Sequence, residues 1–152
     1  MTPNQKRASW VAAAIVVVGA FEGYSATAYP DIIGVPTICY GETKGVHLGD
    51  KATRAQCDEK LSSRLVEFNA GVSSCINVDL PDSRRVAFVS LAYNIGTAAF
   101  CKSTVVRKIN AGDVAGSCDA ILMWNKAGGS VRNGLTQRRK KEREMCLQGV
   151  LP

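Results

Sequence analysis

The sequence predicts an α+β domain: one small antiparallel hairpin or sheet near the N-terminus, then a larger helical lobe around a buried central helix. Three observations carry this. The 152 residues suffice for one domain with a hydrophobic core and are few for two. Gly, Pro, Thr, Ile and Val crowd residues 29–48, the composition of short strands and turns. Beyond residue 53, apolar residues recur at helical spacing between recognisable starts and stops. With 46% hydrophobic and 21% charged residues, the chain has the balance of a folded protein, which excludes whole-chain disorder.

The first element is an apolar helix. After a basic start at residues 1–7, including Lys6 and Arg7, residues 8–21 run almost without polar side chains. A bilayer crossing needs roughly 17–25 mostly apolar residues, so the run is short for a span. It matches the apolar core of a secretory signal and equally a buried first helix. The small-x-small site beyond it, Ala26-Thr27-Ala28, would discard Glu22 if cut. The chain therefore divides into residues 1–21, a basic start and apolar helix that stays attached, and residues 22–152, the main domain.

Residues 29–48 form the hairpin region. ThrArgAlaGln at 53–56 has the form of a capping box and opens a helix with Cys57, Leu61, Leu65 and Phe68 on one face. Pro81-Asp82 starts the next helix, which is apolar from Val86 to Ile95 and stops at Gly96. Apolar on most sides, it is the expected buried centre. Ser103 caps a shorter helix ending at Gly112, and Asp113 caps one running to about Lys126. AlaGlyGly at 127–129 breaks the chain, and a last helix from Leu135 to Leu147 stops at Gly149. There is no internal repeat or linker.

The formal net charge of +6 is concentrated at Lys6, Arg7 and the run Arg138, Arg139, Lys140, Lys141, Arg143. A basic surface attracts polyanions, and nucleic acid, anionic lipid and the bacterial wall all qualify; a solvated helix face explains the run equally well. The six cysteines, at 39, 57, 75, 101, 118 and 146, form no CxxC, and the single histidine, His47, supplies no zinc-ligand spacing. Their even number suggests disulfides, hence a periplasmic or extracellular working place, with free structural thiols as the alternative. The count does not choose among pairings.

The residues with catalytic potential lie in PheGluGly at 21–23, TyrProAsp at 29–31 and ProThr at 36–37. Glu22 ends an apolar helix, where partial desolvation favours the protonated acid, while Asp31 enters the hairpin on a wetter turn. Two carboxyls in unlike surroundings are what acid–base hydrolysis of a glycoside needs. Thr37 supplies a hydroxyl to hold a nucleophilic water. On these residues alone the pattern is weak, because thirteen acidic residues make a Glu and an Asp nine apart commonplace.

Longer motifs go further. They are GlyValxThrIleCysTyrGly at 34–41, PheValSerLeuAlaTyrAsnIleGly at 88–96, AlaPheCysLysSerThr at 99–104 and ArgLysIleAsnAlaGlyAsp at 107–113. TrpAsnLysAlaGlyGly at 124–129 and GlyLeuThrGlnArgArg at 134–139 complete the series. From about residue 20 onward the chain resembles the phage lysozymes (glycoside hydrolase family 24). Their active site is Glu, eight residues, Asp, five residues, Thr, and Glu22, Asp31 and Thr37 keep both spacings.

The resemblance implies a lysozyme-like fold and hydrolysis of the β-1,4 bond between N-acetylmuramic acid and N-acetylglucosamine in peptidoglycan glycan strands. Glu22 would protonate the leaving oxygen, with Asp31 and Thr37 positioning water on the opposite face. Inversion is expected, with carboxyl groups roughly 6.5–9.5 Å apart. No metal, organic cofactor or nucleic-acid partner is implied, and the enzyme would act as a monomer. Trp124 could stack on a sugar, though a lone Trp on an amphipathic helix is more often core, and Arg138 and Arg139 could meet muropeptide carboxylates or equally be structural. Tyr93 and Asn94 read as packing and capping, and His47 as a loop residue. In one departure, Glu42 stands where the family usually has a histidine after ThrIleCysTyrGly, which adds a third carboxyl and puts a local stabilising contact in question.

Cysteine-containing members of the family imply the pairs Cys39–Cys57, Cys75–Cys101 and Cys118–Cys146. Residues 8–21 also resemble the signal-arrest-release segments of some phage lysozymes, which tether the enzyme to the inner membrane and later let it go into the periplasm. Lys6 and Arg7 would orient such an anchor N-in, C-out. Two rival readings are a lytic transglycosylase, which does not need a water-positioning Asp and Thr, and a non-catalytic secreted basic domain that binds walls, which leaves the ordered motifs unexplained.

Overall fold

The computed structural model describes residues 3–148, with side chains from residue 9 onward. Helix α1 (Pro3–Glu22) buries Trp10, Ala14 and Val18 and packs on the next two long helices, so the apolar first segment is folded onto the domain. It ends where Gly23 turns to φ +79°, sending its N–H back to the Gly19 carbonyl at 3.0 Å. Strand β1 (Ser25–Pro30) follows at once and pairs antiparallel with β2 (Pro36–Cys39), Tyr29 opposite Thr37 and Pro30 opposite Pro36. The following loop closes on β1 through Ala28 N–H to Asp50 O, 2.8 Å, and Ala52 N–H to Ala26 O, 2.9 Å.

Helix α2 (Arg54–Cys75) begins with the expected capping box between Thr53 and Gln56. It buries Cys57, Leu61, Leu65 and Val72, spaced for one stripe, while Phe68 is half-buried. Helix α3 (Asp82–Ile95) is the centre of the lobe. Its residues from Val86 to Ala92 are all buried, enclosed by α1, α2 and the C-terminal helix. The short α4 (Thr97–Cys101) lies close on α2 at Gly71, where a Cβ would stand 2.5 Å from Thr97 Cγ2. Helices α5 (Thr104–Asn110) and α6 (Val114–Ala120) carry side-chain caps from Ser103 and Asp113, as their sequences predict. Helix α7 (Asn133–Gln148) closes the lobe against α3. This is the predicted α+β architecture.

Several boundaries differ from expectation: β1 begins at Ser25, ahead of the expected 29–48, and Thr97–Cys101 add the short α4. Helix α6 stops at Ala120, and Ile121–Met123 tighten into a 3-10 turn instead of continuing to Lys126. AlaGlyGly at 127–129 is more than a break: Gly128 and Gly129 both have positive φ, 58° and 78°, and turn a ribbon of β3 (Lys126–Ala127) and β4 (Ser130–Val131). Consecutive positive φ is what a tight hairpin requires. The predicted stop at Gly149 lies outside the described residues.

The cysteines pair as the resemblance implied: Cys39–Cys57 joins β2 to α2, Cys75–Cys101 joins α2 to α4, and Cys118–Cys146 joins α6 to α7. The C-terminal basic run is not one solvated face. Lys140 and Lys141 are exposed, but Arg138 and Arg139 are buried because they point into the interface with α3. Among the described residues no helix is long and apolar enough to cross a membrane.

The Asp113 cap gives a pH signature. Its carboxylate accepts the Gly116 N–H at 2.9 Å and meets Lys108 Nζ at 3.3 Å, and these contacts hold it below its ordinary 3.8, the Gly116 bond more than the lysine. A depressed carboxyl contributes stability above its unfolded value and loses it as pH falls through the lower folded one. Asp113→Asn, which caps without titrating, should flatten the fall of the thermal midpoint below about pH 4. An unchanged slope would assign that acid sensitivity elsewhere.

Candidate active site

Glu22 is the last residue of α1, with Gly23 and Tyr24 between it and β1. Its Oε1 accepts a hydrogen bond from Arg138 Nη1 at 2.8 Å, and the two side chains are 25% and 8% exposed. The same guanidinium lies over the Phe21 ring, 4.7 Å from its centroid, and donates Nη2 to the Ser90 carbonyl at 3.2 Å. The end of α1 is thus held by α7 and, through Arg138, by α3. The surroundings differ from the apolar ones the helix alone suggests, because the cation arrives from 116 residues away. Arg138 is turned inward to this carboxylate, not outward towards a muropeptide.

Asp31 leaves β1 in a turn that fixes it tightly. Oδ1 accepts the N–H groups of Ile33, 2.9 Å, and Val35, 2.8 Å, and its backbone N–H donates to the Val35 carbonyl at 2.9 Å. With Oδ1 doubly engaged, Oδ2 is the oxygen left for a reactant. Thr37 is buried on β2, and its hydroxyl donates to the Val35 carbonyl at 2.9 Å. Its proton being committed there, Oγ1 can only accept. Val35 therefore holds both predicted hairpin residues.

Arg64, on α2, links the loop after the hairpin to α3. Its Nη1 donates to Glu42 Oε1 at 3.1 Å, and the Glu42 backbone exchanges hydrogen bonds with Ile38, the neighbour of Thr37. Its guanidinium lies 4.9 Å from the Tyr93 ring centroid. Burial lowers Arg64, but Tyr93, Glu42 and Glu22 outweigh it and hold the guanidinium above its ordinary range. The Tyr93 hydroxyl is raised, chiefly by burial, and feels both Glu22 and Glu42. The contact put in question by Glu42 is therefore present, with an arginine on α2 as its partner.

The structure thus pairs Glu22 with Arg138, sets Arg64 and Tyr93 within the influence of its charge, and separately holds Asp31 with Thr37 on the hairpin. Trp124 is half-buried against the hydrophobic core, the placement of a packing residue. Tyr93 packs on Phe68 with ring centroids 5.1 Å apart, and Asn94 accepts a hydrogen bond from Arg139. His47 is exposed in its loop beside Asp50. Four cavities of 390 to 550 Å³ among the described residues are lined by residues other than Glu22, Asp31 and Thr37. Sequence reasoning missed Arg64 as the partner of Glu42. It also missed the inward turn of Arg138 and Arg139, whose signal was Glu142 at helical ion-pair spacing.

A carboxyl at a helix end, beside a hairpin carrying a fixed carboxylate and an acceptor hydroxyl, has the makings of an acid–base glycosidase. Comparison with known proteins agrees. The model of the phage lysozyme family matches residues 19–142. The SAR-endolysin of Enterobacteria phage P21 is 44% identical over 129 residues, covering 84% of this chain and 78% of that protein. The SAR-endolysin of Pseudomonas phage phiKMV is 39% identical, covering 93% and 91%. Among solved structures, the endolysin from Escherichia coli O157:H7 phage FAHEc1 superposes with a TM-score of 0.82 at 35% identity, covering 91% of this chain and 93% of that one. The chain belongs to the phage lysozyme family.

The Glu42–Arg64 pair is partly solvated, Arg64 being 39% exposed, so its contribution is screened. A double-mutant cycle of Glu42→Gln and Arg64→Gln, read by urea unfolding, should give a coupling of about 0.2–1 kcal/mol. Additive losses would show that the contact contributes nothing.

Proposed function

We propose that this protein is an endolysin that hydrolyses the β-1,4 bond between N-acetylmuramic acid and N-acetylglucosamine in peptidoglycan, lysing the bacterial host. Glu22 gives its proton to the glycosidic oxygen as the bond from C1 to that oxygen breaks. A water held between Asp31 Oδ2 and Thr37 Oγ1 attacks C1 from the opposite face, and Asp31 takes one of its protons. The product is a reducing sugar of inverted configuration. Solvent then returns a proton to Glu22, and Asp31 releases the one it took. Arg138 acts as a positioning residue that fixes the Glu22 carboxyl at the helix end.

One observation carries this reading: Val35 fixes Asp31 and Thr37 so that both present only acceptor atoms, Oδ2 and Oγ1, which suits them to receive a water's two hydrogens. A lytic transglycosylase, which uses no water, would have no need of that pairing. Turbidity clearing of purified walls should fall by about 100-fold or more for Glu22→Gln, the scale of general acid catalysis. Mass spectrometry of wild-type products should show hydrated reducing ends. An active Glu22→Gln variant, or anhydro-sugar products, would contradict the assignment.

A second reading concerns place. Residues 8–21 of α1 carry no charge, and the outer side of the folded helix is apolar too, with Val16 72% exposed and Ala12, Ala13 and Ala20 exposed beside it. A helix made only for a water-washed surface is ordinarily polar there. Relatives at 44% and 39% identity are named SAR-endolysins. We infer that this segment is first tethered in the inner membrane, keeping Glu22 at the membrane edge and away from Arg138 and the hairpin, and that release into the periplasm completes the site. Replacing Val16, Val17 and Val18 by leucine should move the protein into the membrane fraction and reduce soluble lytic activity. Undiminished soluble activity would count against the scheme.

A further inference from the structure

A cluster of ionisable side chains is buried between α3 and α7, one layer behind the proposed proton donor. Arg139 and Glu142 are fully buried and Arg138 is 8% exposed. We propose that Glu142 and Ser90 are positioning residues that act on Glu22 through Arg138, by deciding how that guanidinium is shared between two carboxylates. This rests on the reading of Glu22 as general acid.

Arg138 stands between the two. Its Nη1 donates to Glu22 Oε1 at 2.8 Å, whereas its Nε is 3.5 Å from Glu142 Oε2 and makes no hydrogen bond among the described residues. Glu142 is kept occupied. Ser90 Oγ donates to Oε2 at 2.5 Å, and Arg139 Nη1 donates to Oε1 at 2.7 Å, while Arg139 Nη2 donates to Asn94 Oδ1. Ser90 is the lone hydroxyl in the apolar stretch from Val86 to Ala92, and it grips both partners, its carbonyl taking Arg138 Nη2. The result leaves a strong bond of Arg138 to fall on Glu22.

Charge makes the coupling mutual. Arg138 and Arg139 are balanced by Glu142 and, once its proton has been given up, by Glu22, so Glu22 completes the charge balance at the accessible edge of a buried network only after proton transfer. Burial holds the Glu142 carboxyl above its ordinary range against the pull of Arg139, Ser90 and Arg138, and Ser90 and Arg139 donate to its two oxygens. Glu22 is hydrogen-bonded by Arg138 from α7, and its charge is felt by Arg64 from α2, itself paired with Glu42, and by Tyr93 from α3. Glu142 is faced by Arg138 and Arg139 on its own helix and by the Ser90 hydroxyl on α3. If packing were all that mattered, an apolar side chain would fill position 142 at no desolvation cost.

The two residues should act in opposite directions. Glu142→Gln leaves Glu22 as the one carboxylate for both guanidiniums, so the alkaline limb of the kcat–pH profile, where the general acid loses its proton, should move to lower pH. At neutral pH kcat should fall about tenfold with KM held within about twofold. Arg139→Gln added to Glu142→Gln restores the charge balance and should bring the limb back. Ser90→Ala frees Glu142 Oε2 to draw Arg138 Nε away from Glu22, so the limb should move to higher pH. It also serves where Glu142→Gln fails to fold. Limbs that stay in place while only the thermal midpoint drops would overturn the positioning role. An active Glu22→Gln control would overturn both this role and the reading beneath it; an inactive control with unmoved limbs would overturn the positioning role alone.

Discussion

The hydrogen bond from Arg138 to Glu22 turns the end of a helix into a site. Glu22 alone is a carboxyl at the tip of an apolar segment, free to turn with its side chain. Arg138 is buried, stacked on Phe21 and held by the Ser90 carbonyl, so the carboxylate it grips is fixed relative to α3 and α7. That contact exists only when α1 lies on α3. The packing of Trp10, Ala14 and Val18 is therefore a condition for the chemistry as well as for stability. In the tethering proposed above, an α1 held in the membrane would lose both together and would for that reason be inactive.

The opposite side of the site is held by backbone. Asp31 and Thr37 are fastened to Val35 within one turn, which leaves little freedom to be lost when a water is bound. The hairpin is in turn fixed to α2 by Cys39–Cys57, and Arg64, about two helical turns further along α2, returns to Glu42 beside the end of β2. One covalent and one ionic link thus set the hairpin against α2.

Much of this is legible in the sequence where the signal is local. The capping box at Thr53, the caps at Ser103 and Asp113 and the apolar run of α3 all rest on contacts within a few residues, and they appear where expected. Helix α6 is shorter than its sequence suggests because apolar residues continue past Ala120, while the ribbon that Gly128 and Gly129 turn draws the chain away. Motif spacing points to the site residues but not to their partners. Arg138 and Arg139 belong to a basic run that its positive charges alone assign to solvent; Glu142 on the same helix is their local partner, but only tertiary packing brings them to Glu22 and Asn94. Arg64 is hidden for the same reason, 22 residues from the carboxylate it meets.

The central claim is that the helix-end carboxyl, steadied by Arg138, faces the scissile bond from one side and the hairpin pair faces it from the other. A crystal structure of the Glu22→Gln protein with a bound peptidoglycan oligosaccharide tests it most directly. The glycosidic oxygen should lie within about 3 Å of the substituted amide at position 22, with Asp31 Oδ2 and Thr37 Oγ1 on the far face of the ring and room for a water between. A glycan seated with its scissile bond away from that amide, or with both hairpin groups on the same face as the amide, would contradict the account.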